Sequence, residues 1–195
     1  MTDPHSPAES LLTLEPFLDA VREGLEDEGW ELSGLQKTTS YEFEGRWAGD
    51  SSRSAYLFFH RPGIGDWVSI DAFLDETSKG LKGNLALVVD GPELKGIRDP
   101  KEAFGHLGGL AQSVLPEGYR TPLTIRYRLP DPGGDPLEAD TELRFKLYFP
   151  RKAMEAGAAA VTALAQASAR AFLEILLAPG LKPYLPQPEG EAASG

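Results

Sequence analysis

Apolar and polar residues alternate most clearly in the last third of the chain. Leu143, Phe145, Leu147 and Phe149 fall on one side of a predicted strand from Thr141 to Phe149, with Glu142, Arg144 and Lys146 on the other. A period of two marks a sheet covered on one face. A preceding strand is predicted from Leu123 to Leu129, joined to it through PDPGGDP, a strong turn signal too long for a two-residue hairpin. The alanine-rich stretch from Arg151 to Ala178 follows directly and is predicted to be the helix that covers the apolar face. Thr162, Gln166, Arg170 and Glu174 recur at helical spacing as a polar strip, leaving Val161, Leu164, Phe172, Ile175 and Leu176 on the broad opposite side.

At the other end, Leu14, Phe17, Leu18, Val21 and Leu25 form one helical stripe that Thr13 can cap and Gly29 can end. Pro16 is tolerable there because it lies within the first turn. From Trp30 on the period becomes two. Tyr41, Phe43 and Trp47 alternate with Glu42, Glu44 and Arg46, and Ala55, Leu57 and Phe59 with Ser54 and His60, so these stretches are predicted as neighbouring antiparallel strands joined through AGDSS. Two more strands, from Trp67 to about Leu74 and from Asn84 to Asp90, are predicted on either side of the polar DETSKGLKG. The run LALVV points to a strand buried on both faces. Asp99-Pro100 with Glu102 opens a middle helix close to the capping-box pattern, with Phe104, Leu107, Leu110, Ala111 and Val114 as its buried stripe. Gly105, Gly108 and Gly109 each weaken that helix by about 1 kcal/mol relative to alanine, so close packing or a distorted turn is expected there.

The order of elements is therefore α-β(several)-α-β-β-α: an α+β fold with an antiparallel sheet flanked by three helices. Residues 1–9 and the Pro/Gly-rich 179–195 are expected to be disordered tails around a single domain over 10–178. Length supports one domain, since 195 residues bury an ordinary core without staples.

Composition narrows the function classes. The chain has no cysteine, which excludes disulfides, thiolate metal sites and thiol nucleophiles. MTDPHSPAESLL has neither a basic region nor a continuous apolar run, so no secretory signal is expected, and the predicted address is the cytoplasm. The long apolar segment from Ala153 to Leu177 is interrupted by Glu155, Thr162, Gln166, Arg170 and Glu174, which argues for a soluble helix over a membrane span. A net charge of -11 opposes a direct grip on nucleic-acid phosphates and suits either solubility or an acidic face for a basic partner.

Candidate chemistry is sparse. His5, His60 and His106 are too scattered to spell a metal site, although His60 and His106 could meet near Asp66 or Asp71. RPGIGDW contains a lone GxG without the third glycine or the helix of a dinucleotide fingerprint, and GHLGGL lacks the Lys and Ser/Thr of a phosphate loop. Asp71, Asp75 and Glu76 bring carboxylates close in sequence as a glycosidase pair would, yet with 30 acidic residues such clusters arise by chance. No GxSxG or SxxK pattern marks a serine nucleophile. The residues therefore assign no catalytic, cofactor or metal role, and the expected activity is non-enzymatic.

The stripe LEPFLDAVREGL, the hairpin TIRYRLP…ELRFKLYFP and the helix AMEAGAAAVTALAQASARAFLEILL together resemble the YbjN family and the related type III secretion chaperones. The resemblance is one of topology and composition over about Thr13 to Ala178, with one strand more before the middle helix than the simplest chaperone pattern. It implies a chaperone-like or adaptor protein, commonly a homodimer, that binds another protein without cofactor or catalysis. Leu14, Phe17, Val21, Val161, Leu164, Phe172 and Ile175, on the two outer helices, are the candidate partner-binding residues. A basic nucleic-acid-binding repair or stress protein is one partner whose charge complements the acidic chain. The alternative is a small-molecule binder with an apolar pocket between sheet and last helix, lined by Trp47, Phe59, Tyr127 and Phe145.

Overall fold

The computed structural model describes residues 14–40, 52–77, 80–90, 97–128 and 142–186. Helix α1, Leu14–Glu26, ends in a Schellman motif: Trp30 N–H donates to the Leu25 carbonyl and Gly29 N–H to that of Glu26. Gly29 takes the left-handed conformation this needs, with φ 81°. Four strands follow: β1 Glu31–Ser40, β2 Ser52–His60, β3 Val68–Thr77 and β4 Gly80–Asp90. Helices α2 Pro100–Phe104 and α3 Leu107–Val114 lead to β5 Thr124–Arg128 and β6 Glu142–Tyr148. The chain continues through α4 Arg151–Ala156 and α5 Ala158–Leu177.

All six strands form one sheet in the order β1-β2-β3-β4-β6-β5, and every neighbouring pair is antiparallel. The middle helices carry the chain from β4 past β6 to the far edge, where β5 forms. The α+β class and the antiparallel sheet agree with the alternation pattern. The LALVV stretch is buried on both faces, as a central strand must be.

The helices cover one face. Ala55, Leu57 and Phe59 of β2, Ile70, Ala72 and Leu74 of β3, Leu85, Leu87 and Val89 of β4, and Leu143, Phe145 and Leu147 of β6 join α1, α3 and α5 in a single core. Helix α5 packs between α1 and α3. It is long and apolar enough to cross a membrane, and more than half of it is buried inside the fold, the pattern of a core helix. The ends of α1 and the middle of α5 are tied by Gln166 donating to Asp27 at 2.8 Å and Arg170 to Glu28 at 2.9 Å. The predicted polar strip of α5 thus clamps the neighbouring helix.

Several expectations are corrected. The middle helix is split at Gly105–His106 and the last at Gly157, whose φ of 96° and ψ of -175° suit only glycine. The three predicted helices are therefore one continuous helix and two broken ones. Asp99 does cap α2, its side chain accepting from the backbone N–H groups of Lys101 and Glu102. DETSKGLKG is mostly strand, since β3 and β4 pair up to Thr77 and Gly80. Nor does order stop at Ala178. A short 3-10 turn at Lys182–Tyr184 folds back, burying Leu181 and Leu185 and bringing Gly180 so near α2 that a Cβ there would lie 2.4 Å from the Ala103 carbonyl. The strand predicted over 41–47 and the cap at Thr13 lie outside the described residues.

Candidate site on the helix-free face of the sheet

The strand alternation that sends one set of side chains into the core sends the other to the opposite face. There Gln36 of β1, Tyr56 and Phe58 of β2, Asp71 and Phe73 of β3, Lys82, Asn84 and Ala86 of β4, and Arg144, Lys146 and Tyr148 of β6 line an open concavity of 640 Å³. Among the described residues, no helix contributes to that lining. The register stacks these residues in rows across the strands. One row runs Gln36, Tyr56, Phe73, Asn84 and Tyr148, and the next runs Gly34, Phe58, Asp71, Ala86, Lys146 and Thr124.

The first row is largely aromatic. The rings of Tyr56 and Phe73 lie 4.7 Å apart at a tilt of 36°, a favourable offset contact. Tyr56 and Tyr148 remain 39% and 49% exposed, and they are two of four large apolar residues so exposed among the described residues. Between them stands Asn84, only 9% exposed, whose side-chain amide has no hydrogen-bond partner among the described residues.

Charges ring the aromatics. Arg144 donates from Nε to Glu142 at 2.6 Å and reaches Asp71 through Nη1 at 3.1 Å, while Lys82 pairs with Asp75 at 3.1 Å. Lys146 Nζ lies 5.7 Å from the Tyr148 ring centre, within cation–π range. Burial pushes the Asp71 carboxyl above the usual carboxylate range; Arg144 opposes this, and the charge of Glu142 adds to it. The Arg144 guanidinium is raised chiefly by its hydrogen bond to Glu142.

Asp71 therefore makes a pH-dependent contribution of known sign. A carboxyl whose pKa is higher in the folded than in the unfolded chain favours the fold while protonated. That advantage is lost as pH rises from the ordinary carboxylate range through the raised value. Asp71→Asn abolishes this decline, so the variant gains stability relative to the wild type across that window. Urea denaturation at a series of pH values checks this; a stability difference that moves the other way with rising pH contradicts it.

The residues picked out from sequence are placed elsewhere. Leu14, Val21, Val161, Leu164, Phe172 and Ile175 are buried in the core and Phe17 is half-buried against it. Their stripes are consumed by α1 and α5 packing on each other and on the sheet, so docking through them would require unpacking the domain. Phe59 and Phe145 are likewise core residues with no exposed surface, and Tyr127 packs partly buried beside them; Trp47 lies outside the described residues. The concavity is thus on the opposite side of the sheet from the expected pocket.

His60 approaches Glu31 at 3.4 Å on the surface, and no group of three or more potential metal ligands occurs among the described residues. Asp71 and Asp75 sit on the helix-free face with different cationic partners, whereas Glu76 pairs with Arg53 at 2.7 Å. The GxG of RPGIGDW is a turn between β2 and β3, with positive φ at Gly63 and Gly65. The aromatic row was not visible as a unit because its members come from separate strands. The alternation around Arg144 and Lys146 marked only the face on which Tyr148 falls. Searches of family models, curated proteins and solved structures return no match to this chain.

Proposed function

We propose that the chain is a non-enzymatic protein-binding module, chaperone-like or adaptor in kind, that docks its partner on the helix-free face of the sheet. The observation that carries this reading is the row of Tyr56, Phe73, Asn84 and Tyr148, in which two exposed rings flank a polar amide on a face that no helix among the described residues covers. Aromatic side chains supply much of the binding energy of protein interfaces when a partner seals them from water. Asp71, Asp75 and Glu142 are each committed to a cation, an arrangement that favours holding shape over moving protons. The resemblance to YbjN and secretion-chaperone proteins points the same way and extends the reading to a homodimer, which light scattering on the free chain measures.

A photo-crosslinking residue tests the reading directly. With benzoylphenylalanine replacing Tyr148, illumination in native extract is expected to yield a discrete protein adduct. The same residue replacing Lys152, exposed on α4, is expected to yield none. Equal yields at both positions, or an adduct at 152 alone, would remove the docking face. A second reading, a small-molecule binder using the same concavity, is favoured by the Asn84 amide in its lining and by a volume within the range of ligand pockets, about 300 to 1,000 Å³. Native mass spectrometry of freshly purified protein detects such a ligand as added mass.

A further inference from the structure

The charges of the helix-free face are layered. Asp71, Asp75 and Glu142 have side chains only 19%, 16% and 15% exposed and are all paired, whereas the Lys82 side chain is 70% exposed. Two further cations have no carboxylate partner among the described residues: Lys146, which lies against Tyr148, and Arg126, exposed on the edge strand. The register sets Arg126 directly opposite Arg144. Like charges facing each other across a strand pair are unfavourable, and Arg144 is relieved by Asp71 and Glu142 while Arg126 is not. Asp90, exposed and in register with Glu142, and Glu31, in register with His60, lie on this face too, so its charges nearly balance and Lys146 and Arg126 gather at its β5–β6 edge, on a chain whose net charge is -11.

We infer that the partner presents an extended acidic segment carrying an aromatic side chain, its carboxylates meeting Arg126 and Lys146 and its ring seated on the aromatic row. This rests on the protein-binding reading above and supplies the chemistry of the partner. The whole-chain charge favours a basic partner, but at contact range the local charges decide, because salt screens charges beyond about 8 Å. Tyr148 and Tyr56 are three strand spacings apart across the row, about 14 Å, a span of about four extended residues. With the ring seated at the Tyr56–Phe73 end of the row and a carboxylate at Lys146 beside Tyr148, the acidic and aromatic positions of the segment are about four residues apart. A side-chain hydroxyl or backbone group between them can hydrogen-bond the Asn84 amide in the lining. A single nucleic-acid strand could also offer negative charge and rings, but two unpaired cations on so acidic a chain supply little of the counterion release that such binding needs.

The test is selection of peptides from a random display library against the full chain. Anisotropy titration of the best peptide against wild type and the Arg126→Glu, Lys146→Glu and Tyr148→Ala variants follows, with each variant's fold checked by its thermal melt. The selected peptides are expected to be rich in Asp and Glu with an aromatic residue at the stated spacing. Each charge reversal should weaken binding by about tenfold or more, and added salt should weaken the wild type. Peptides rich in Lys and Arg that still lose affinity in Tyr148→Ala would overturn the acidic partner and keep the docking face. Peptides indifferent to all three variants, or no selected peptide at all, would overturn both. A single-stranded oligonucleotide binding more tightly than the best peptide would also overturn the inference.

Discussion

Replacing Phe145 with alanine is expected to lower the stability of the domain by about 3 to 5 kcal/mol, the range for a buried phenylalanine. Phe145 has no exposed surface, stands between Leu87 and Ile125 in the sheet register, and meets the Phe104 ring edge-on at 5.9 Å. The cavity left by its loss cannot close readily. Its floor is a strand hydrogen-bonded on both sides and its roof includes Phe104, on a helix whose start is capped by Asp99. Urea denaturation gives the number directly. A loss below about 1 kcal/mol would mean that β6 does not place this side chain in the core.

A second large effect is expected where α1 crosses α5. A Cβ on Gly24 would lie 2.6 Å from the Thr162 carbonyl oxygen and 2.8 Å from the Ala165 Cβ, so the two helix backbones approach through this glycine. Backbone cannot swing aside as a long side chain can, so Gly24→Val must push the helices apart. Overpacking of this kind costs about 1 to 3 kcal/mol and occasionally more. The paired control is Gly108→Ala in α3, where a Cβ meets nothing within 4 Å and helix propensity favours alanine by up to about 1 kcal/mol. A Gly24→Val melting temperature equal to that of the wild type, beside an unchanged Gly108→Ala, would contradict the close crossing.

Those two sites also show what could be read from the sequence. The inward face of β6 was legible because Leu143 to Phe149 alternate without a break, and α1 because its stripe and Gly29 agree on where it starts and stops. The cap at Asp99 was equally local. Strand β1 was not legible: ELSGLQKTTS carries only two large apolar residues, and an edge strand can afford that because its backbone pairs on one side alone. Gly157 sits in a run of alanines, where a single glycine is ordinarily absorbed by a helix, and nothing nearby signals its positive φ. The fold-back after Ala178 depends on Gly180 meeting Ala103, a contact between distant segments.

The candidate site was hidden for a related reason. An amphipathic stripe reads the same whether its partner is another protein or the chain's own core, and in α1 and α5 the core takes it. The concave face assembles from one to a few residues on each of β1, β2, β3, β4 and β6, aligned only by register. Tyr56 and Tyr148 are nearly a hundred residues apart in sequence, yet Phe73 and Asn84 complete one row between them.

The most direct measurement is hydroxyl-radical footprinting of the free chain, read residue by residue by mass spectrometry. An open helix-free face predicts rapid modification of Tyr56 and Tyr148, with Phe59, Phe145 and Phe172 protected. Protection of both tyrosines in the free chain, or modification of Phe172 as fast as theirs, would contradict the claim that this face of the sheet is the surface the protein offers to a partner.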